Sequence, residues 1–476
     1  MMRRALPVAM LAAILLQACA VGPNYRRPET PVTESFRGQD VVQPESLADL
    51  PWWEVFQDDE LQALVAEALR NNYDLQTAVA RVEQARGVLV TTRSAIFPQF
   101  EYNAGAARGR NFFGFTGNRT FNTFAATFNM AWEIDLWGRI RRATESSRAE
   151  LLASNEARRG VIISLVSEVA TQYLSLRELD VELEIAQRAT RTFQETLDLF
   201  VRQFEGGIGT KLAVARGAAA LAQAAAAIPD TERRIVATEN AISILLGWPP
   251  IPIPRGDTTL TQEDLPPRPP AGVPAALLER RPDVRQNEEL LRSANAQVGV
   301  AVADFFPRIG LTALYGGQST ELESIVKGPG NIWQIAASIS GPLLQGGRLL
   351  GNYKSAKANW EATKAQYEQI VLTALREVSD ALVNADKLVG VRDEDAKAVA
   401  ALQEASDLAT VRYTGGLATY FEVLEAQQQL FPAETTLAQV ELAQLLAVVE
   451  LYRALGGGWT VGEEQLPLNF FPNWPN

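Results

Sequence analysis

Few residues in this chain could do covalent or acid–base chemistry. The 476 residues include no histidine and a single cysteine, Cys19. Without histidine there is no imidazole base, no Ser-His-Asp triad, and none of the commonest zinc or copper ligands. One thiol closes no intrachain disulfide and builds no cysteine cluster. Carboxylates are plentiful, but Glu178, Asp180, Glu182 and Glu184 fall on a long helical segment, where charges read as a solvated face. Gly206-Gly207-Ile208-Gly209-Thr210-Lys211 faintly suggests a phosphate-cradling loop, yet it lacks the GK[ST] spacing and follows a helix instead of a strand. The corresponding Gly415-Gly416-Leu417-Ala418-Thr419-Tyr420 has no such features. Lys and Arg number 44 against 56 Asp and Glu, a formal charge of −12, which argues against nucleic acid as a partner. No catalytic residue, metal site or bound cofactor is expected, and an enzyme is disfavoured.

The cysteine is placed where a different chemistry applies. Residues 1–18 read as a signal peptide: Arg3 and Arg4, an apolar run from Ala5 to Leu16, then Ala18. Leu16-Gln17-Ala18-Cys19 resembles the lipobox of bacterial lipoproteins, although Gln17 is a less usual residue there. That resemblance implies a covalent diacylglycerol and acyl lipid at Cys19, and Ala20 after it implies sorting to the outer membrane. The plain alternative is an ordinary signal peptide that happens to contain a cysteine.

The elements that follow are unusual in length. Residues 19–70 comprise a proline-rich tether and an equatorial segment; within it Asp58 opens a short helix with Leu61, Leu64, Val65, Ala68 and Leu69 on one face. A second helix runs from about Asp74 to Ser94, and Pro98 closes it. From Phe97 the pattern alternates: Phe100, Tyr102, Ala104 and Ala106 against Glu101, Asn103, Gly105 and Ala107, then Phe124, Ala126, Phe128, Met130 and Trp132. Such strands suit a transmembrane β-hairpin at about 99–133, each strand needing roughly 9–11 residues; a soluble hairpin on a core is the alternative. A proline-free run follows, with Leu179, Leu183, Ala186, Phe193, Leu197, Phe200 and Phe204 in 4-3 spacing. A helix over 139–203 would be roughly 95 Å long. Beyond the leader, no stretch reads as a transmembrane helix. The glycines at 206–207 turn the chain, Thr210 caps a return helix over 210–246, and Pro229 should kink it.

The chain then starts again. Asp283 matches Asp74, Phe306-Pro307 matches Phe97-Pro98, and Gly347-Arg348 matches Gly138-Arg139, all at the offset 283 − 74 = 209. Tyr413-x-Gly415-Gly416 and Leu455-Gly456 continue the series, so the chain is a tandem repeat. Repeat 1 covers 71–247 and repeat 2 covers 280–456, joined by a proline-rich linker at 248–279. The second copy has its hairpin at about 308–341, its long helix at 348–412 and its return helix at 419–455. Residues 457–476 form a tail. Four strands cannot close a membrane barrel, and open sheet edges are not tolerated in lipid, so strands must be pooled between identical chains. One apolar stripe per helix likewise suits side-by-side packing in a hollow ring.

At this point the sequence resembles a known family, the TolC-like outer-membrane factors, in their NodT-type lipoprotein branch. The residues that carry this are Cys19-x-x-Gly22-Pro23-x-Tyr25-x-x-Pro28, Trp52-Trp53-x-x-Phe56-x-Asp58-x-x-Leu61, and Asn72-x-Asp74-Leu75-x-x-Ala78-x-Ala80-Arg81-Val82. Arg280-Arg281-Pro282-Asp283-Val284 and Arg412-Tyr413-x-x-Gly416-Leu417-x-x-Tyr420-x-x-Val423-Leu424-x-Ala426-Gln427 complete the match. The resemblance implies a mostly α protein with membrane β: a homotrimer with a 12-stranded β-barrel and a 12-helix tunnel, four transmembrane β-strands per chain. It further implies an exit duct in the outer membrane, reaching into the periplasm, that docks a periplasmic adaptor and an inner-membrane pump of the resistance-nodulation-division (RND) type. The cargo would be drugs or other small molecules; protein secretion or metal efflux through the same architecture is the alternative, and a pore-free coiled-coil scaffold is a third reading. Gly206, Gly207, Thr210, Arg412, Tyr413, Gly415 and Gly416 would form the periplasmic tip turns where the adaptor docks. Many relatives carry an acidic residue after the second turn; here Ala418 and Thr419 stand there and Glu422 is the nearest carboxylate. The candidate aperture is therefore Leu417, with Thr419 and Glu422 beside it.

Overall fold

A computed structural model of the chain describes residues 20–30, 33, 35–38, 46–47, 58–110, 120–256, 272 and 274–457. The signal peptide, Cys19, Trp52, Trp53 and Phe56, the hairpin tip 111–119, linker residues 257–271 and the tail from 458 lie outside the described residues.

Each repeat lays down the same elements in the same order. In the first, α1 (Asp59–Asn71) and α2 (Tyr73–Ser94) lead to β1 (Gln99–Arg110) and β2 (Thr120–Ile134), then α3 (Arg139–Glu205) and α4 (Lys211–Leu245). In the second, α5 (Pro282–Ala303) leads to β3 (Arg308–Ser319) and β4 (Asn331–Ser340), then α6 (Arg348–Thr414) and α7 (Tyr420–Ala454). The long helices α3 and α6 have 67 residues each, and the return helices α4 and α7 have 35 each. Their first residues are separated by 348 − 139 = 209 and 420 − 211 = 209 positions. The chain divides into two compact units, residues 1–29, 80–155 and 286–369, and residues 30–79, 156–285 and 370–476.

The first unit contains the sheet. Its strands are antiparallel in the order β1-β2-β3-β4, so the two hairpins join through β2 and β3. The register puts Tyr102 opposite Phe128, Phe128 opposite Tyr315, and Tyr315 opposite Trp333. One cross-strand row therefore carries an aromatic on every strand. Because side chains alternate with period two, Phe100, Phe124, Met130, Trp132, Leu311, Ile335 and Ile339 share that face. Glu101, Asn103, Thr127, Asn129, Thr312 and Gln334 share the other. Aromatics on the apolar face stand largely exposed in the chain by itself, Phe100 at 76% and Trp333 at 73%. The N-terminal segment is extended and fastened in the same unit. Arg142 donates to the carbonyls of Val21 and Gly22 at 3.3 Å each and to Asn24 Oδ1 at 2.8 Å. Tyr25 and Arg27 both reach Glu288. Burial pushes the Glu288 carboxyl up, but the guanidinium groups of Arg27 and Arg292 outweigh it and hold it below the usual range.

In the second unit the helices pack through small residues and heptad-spaced apolar ones. Leu179, Ala186, Phe193 and Phe200, seven apart, are buried, whereas Leu183 and Leu197 are half-buried and Phe204 is exposed. Ala213, Gly217 and Ala220 form the buried stripe of α4, and a Cβ on Gly217 would lie 3.1 Å from the Phe200 ring. The same alanines make α4 long and apolar enough to cross a membrane by length and composition, which differs from the sequence expectation. Alanine is both apolar and small, so one composition produces both properties. Pro229 does not interrupt α4, which continues through it. On α1 the buried residues are Leu61, Leu64, Val65, Ala68 and Leu69. Asp58 caps that helix by accepting from Leu61 N at 3.0 Å, and it also receives Tyr173 Oη and Arg177 Nη1 at 3.1 Å each.

Candidate functional site

Two places in the chain offer surfaces made for something other than their own core. One is the apolar face of the sheet; the other is the pair of turns between each long helix and its return helix.

Both turns are built the same way. At the end of α3, Gly207 N donates to Phe204 O at 3.0 Å and Ile208 N to Gln203 O at 3.0 Å. At the end of α6, Gly416 N donates to Tyr413 O at 3.0 Å and Leu417 N to Arg412 O at 2.8 Å. These are paired Schellman closures, which require a left-handed residue. Gly207 and Gly416 supply it with φ of 76° and 73°. Gly206 and Gly415 precede them without positive φ. The return helices are then capped: Thr210 Oγ1 accepts from Ala213 N at 3.2 Å, and Thr419 N donates to Glu422 Oε1 at 3.0 Å.

Behind the turns lies an aromatic cluster. Phe200 is buried edge-on against Tyr413 and Tyr420, with ring centroids 5.6 and 5.9 Å apart. Tyr413 Oη is hydrogen-bonded to Gln203, and burial pushes its phenol up. Arg412 donates to the Leu417 carbonyl at 3.3 Å and stands 3.9 Å from Glu422. Glu422 is thus occupied in closing the cap, while Leu417 projects with 76% of its surface exposed. The repeat offset exposes residues that the sequence reading missed. Ile208, the counterpart of Leu417, is 83% exposed, and Leu212 and Phe421 form a second exposed pair. Each turn therefore presents two large apolar side chains outside a closed hydrogen-bonded frame. The offset of 209 is the signal that pairs them, 417 − 208 and 421 − 212.

A charged cluster on the same helices corrects another expectation. Glu178 and Glu182 are not on a solvated face: they are 3% and 6% exposed. Glu182 pairs with Arg234 and accepts from Gln439 Nε2 at 2.9 Å. Desolvation, with Glu182 adjacent, pushes Glu178 up to about 8, which favours its neutral, protonated form. Asp180 pairs with Arg255 at 3.0 Å, and Glu184 is exposed as expected.

A sheet with one apolar exposed face, and a long helix with its return helix in two tandem copies, fit a subunit of a membrane channel. The sequence profile of the outer membrane efflux protein family matches residues 64–248 and 273–457, two segments beginning 273 − 64 = 209 residues apart. Cation efflux system protein CusC of Escherichia coli O6:H1 is 30% identical over 450 residues, 94% of this chain and 97% of that protein. Solvent efflux pump outer membrane protein SrpC of Pseudomonas putida is 33% identical over 471 residues, 95% of this chain and 98% of that one. Among solved structures, the outer-membrane channel OprN superposes with a TM-score of 0.87 at 31% identity, covering 93% of this chain and 100% of its own. The chain belongs to the outer membrane efflux protein family. It is an outer-membrane channel component and not an enzyme.

Proposed function

We propose that the chain is the exit duct of a tripartite efflux system, acting as a homotrimer with a periplasmic adaptor and an inner-membrane RND-type pump. The observation that carries this is the four-stranded sheet, apolar on one face and ending in β1 and β4 edges that have no partner among the described strands. Edges of that kind require neighbouring strands in lipid, and three copies supply twelve. The apolar face then meets lipid, and the polar face lines the pore.

The turns centred on Gly206, Gly207 and Thr210, and on Arg412, Tyr413, Gly415 and Gly416, are where the adaptor docks. Ile208, Leu212, Leu417 and Phe421 supply the apolar contact area. Three copies of Leu417, with Thr419 and Glu422 behind them, form the aperture. The lipid on Cys19 adds a second hold on the membrane.

Purified protein in planar bilayers should form long-lived channels, and cross-linking in detergent should yield a trimer. Release from membranes by alkaline carbonate without detergent, together with absence of conductance, would overturn the reading. Relatives bear names for cation, solvent and antibiotic efflux. Small organic molecules are the leading cargo, with cations second. Expression with each candidate pump, scored by tolerance to solvent or to metal cations, separates the two.

A further inference from the structure

The apolar face of the sheet is interrupted at one place. On the described strands it carries Phe100, Tyr102, Ala104 and Ala106 along β1, and then Arg108 and Arg110. On β2, β3 and β4 the same face holds no charged residue. Arg108 and Arg110 are exposed and, among the described residues, make no ion pair and no side-chain hydrogen bond. Beside them on that face stand Asn122 and Thr120, their register partners, so the end of the β1–β2 pair turns polar on this face.

Depth can be reckoned from the register. Arg108 lies opposite Asn122, and Trp132 is ten residues further along the same strand. At a barrel tilt of about 40° that separation is roughly 25 Å along the membrane normal, the height of an outer-membrane apolar band. An arginine facing lipid is costly at the midplane and nearly neutral at the interface. The arginines therefore sit at one headgroup level and Trp132 at the other. The far end is the inner one. Ala20, one residue after Cys19, lies against Gly138 there, where a Cβ would be 2.7 Å from the Ala20 Cα. Helix α3 departs from the same end.

We propose that Arg108 and Arg110 bind the phosphate groups of the anionic glycolipid in the outer leaflet. The inference rests on the barrel reading of the sheet. A guanidinium offers a planar fork of donors that matches a phosphate monoester, and two arginines two residues apart on one strand present both forks to the lipid side. The site recognises a bis-phosphorylated, lipid A-type headgroup, not a zwitterionic phospholipid.

The test uses the full-length chain made in an outer membrane and extracted in mild detergent, with retained lipid A measured by mass spectrometry. Wild type should retain roughly thirtyfold more than R108S/R110S, from the usual attraction of two arginines at an anionic surface. R108K/R110K should keep most of it. Dephosphorylated lipid A added to delipidated wild type should bind no better than to the serine variant. Equal retention in wild type and R108S/R110S overturns the proposal. A lower melting temperature of the variant's oligomer with unchanged lipid would instead show pairing with Glu321 or Glu323 of a second copy, and also overturns it. Failure of the barrel reading is seen separately, as release of the wild type by carbonate.

Discussion

Asn72 and Arg281 hold the same place in the two repeats by different chemistry. They are 281 − 72 = 209 residues apart. Asn72 Nδ2 donates to the Leu245 carbonyl at 3.0 Å, and Arg281 Nη1 donates to the Ala454 carbonyl at 3.0 Å. Each acceptor is the last residue of a return helix, where carbonyls have no intrahelical donor. The asparagine also caps its own helix, its Oδ1 accepting from Asp74 N and Leu75 N at 2.9 and 3.0 Å. The arginine instead reaches Asp283 at 2.6 Å and Glu377 at 2.8 Å. One position thus ends a helix, starts another and ties the two together.

Replacing these residues by alanine should cost unequal amounts. Asn72→Ala removes neutral hydrogen bonds and should destabilise by about 1–3 kcal/mol. Arg281→Ala removes a buried guanidinium, but Asp283 and Glu377 are 45% and 32% exposed and regain water, so about 2–3 kcal/mol is expected. Thermal melting of the purified protein, read by circular dichroism, should rank the variants in that order. Equal melting temperatures would show that the two clamps contribute alike.

Glu178 should make stability depend on pH. Its folded pKa of about 8 lies above the ordinary glutamate value of 4.5. The folded state therefore keeps a proton that the unfolded chain releases. Stability from this group is full below the unfolded value and is lost as pH rises through about 8. The slope cannot exceed about 1.4 kcal/mol per pH unit for one proton. Glu178→Gln should flatten the decline between about pH 4.5 and 8, and a parallel pair of pH–stability curves would remove Glu178 as its source.

The turn glycines should differ within each pair. Gly207→Ala and Gly416→Ala place a side chain at positive φ and should each cost about 1–2 kcal/mol. Gly415→Ala should be milder, since its nearest contact would be 3.5 Å away. Limited proteolysis at the turns, compared among the three variants, checks this ranking.

Leu417 should control conductance if three copies meet at the aperture. Leu417→Ser replaces an exposed apolar side chain that no hydrogen bond holds, so folding should be unaffected. Single-channel conductance in planar bilayers should rise, because a polar ring no longer excludes water. An unchanged value would place the narrowest point elsewhere.

The linear order of residues was sufficient for the kind and order of the elements along one chain. Period-two alternation through Phe124–Trp132, 4-3 spacing through Leu179–Phe200 and glycine pairs at 206 and 415 are local signals, and each acts within its own segment. The offset of 209 then reduces two halves to one pattern, which is why the element order was readable. Burial of Glu178 and Glu182 was not readable. On α3 they carry the charges of a solvated face, and only the approach of Arg234 and Gln439 from α4 and α7 encloses them. The joining of the hairpins through β2 and β3 is likewise tertiary, because strand pairing between repeats leaves no mark in either strand. So is the equivalence of Asn72 and Arg281, two side chains alike only in reaching the equivalent carbonyl at the end of a return helix. Local periodicity is written in the chain; which polar group meets which is decided when distant segments close on one another.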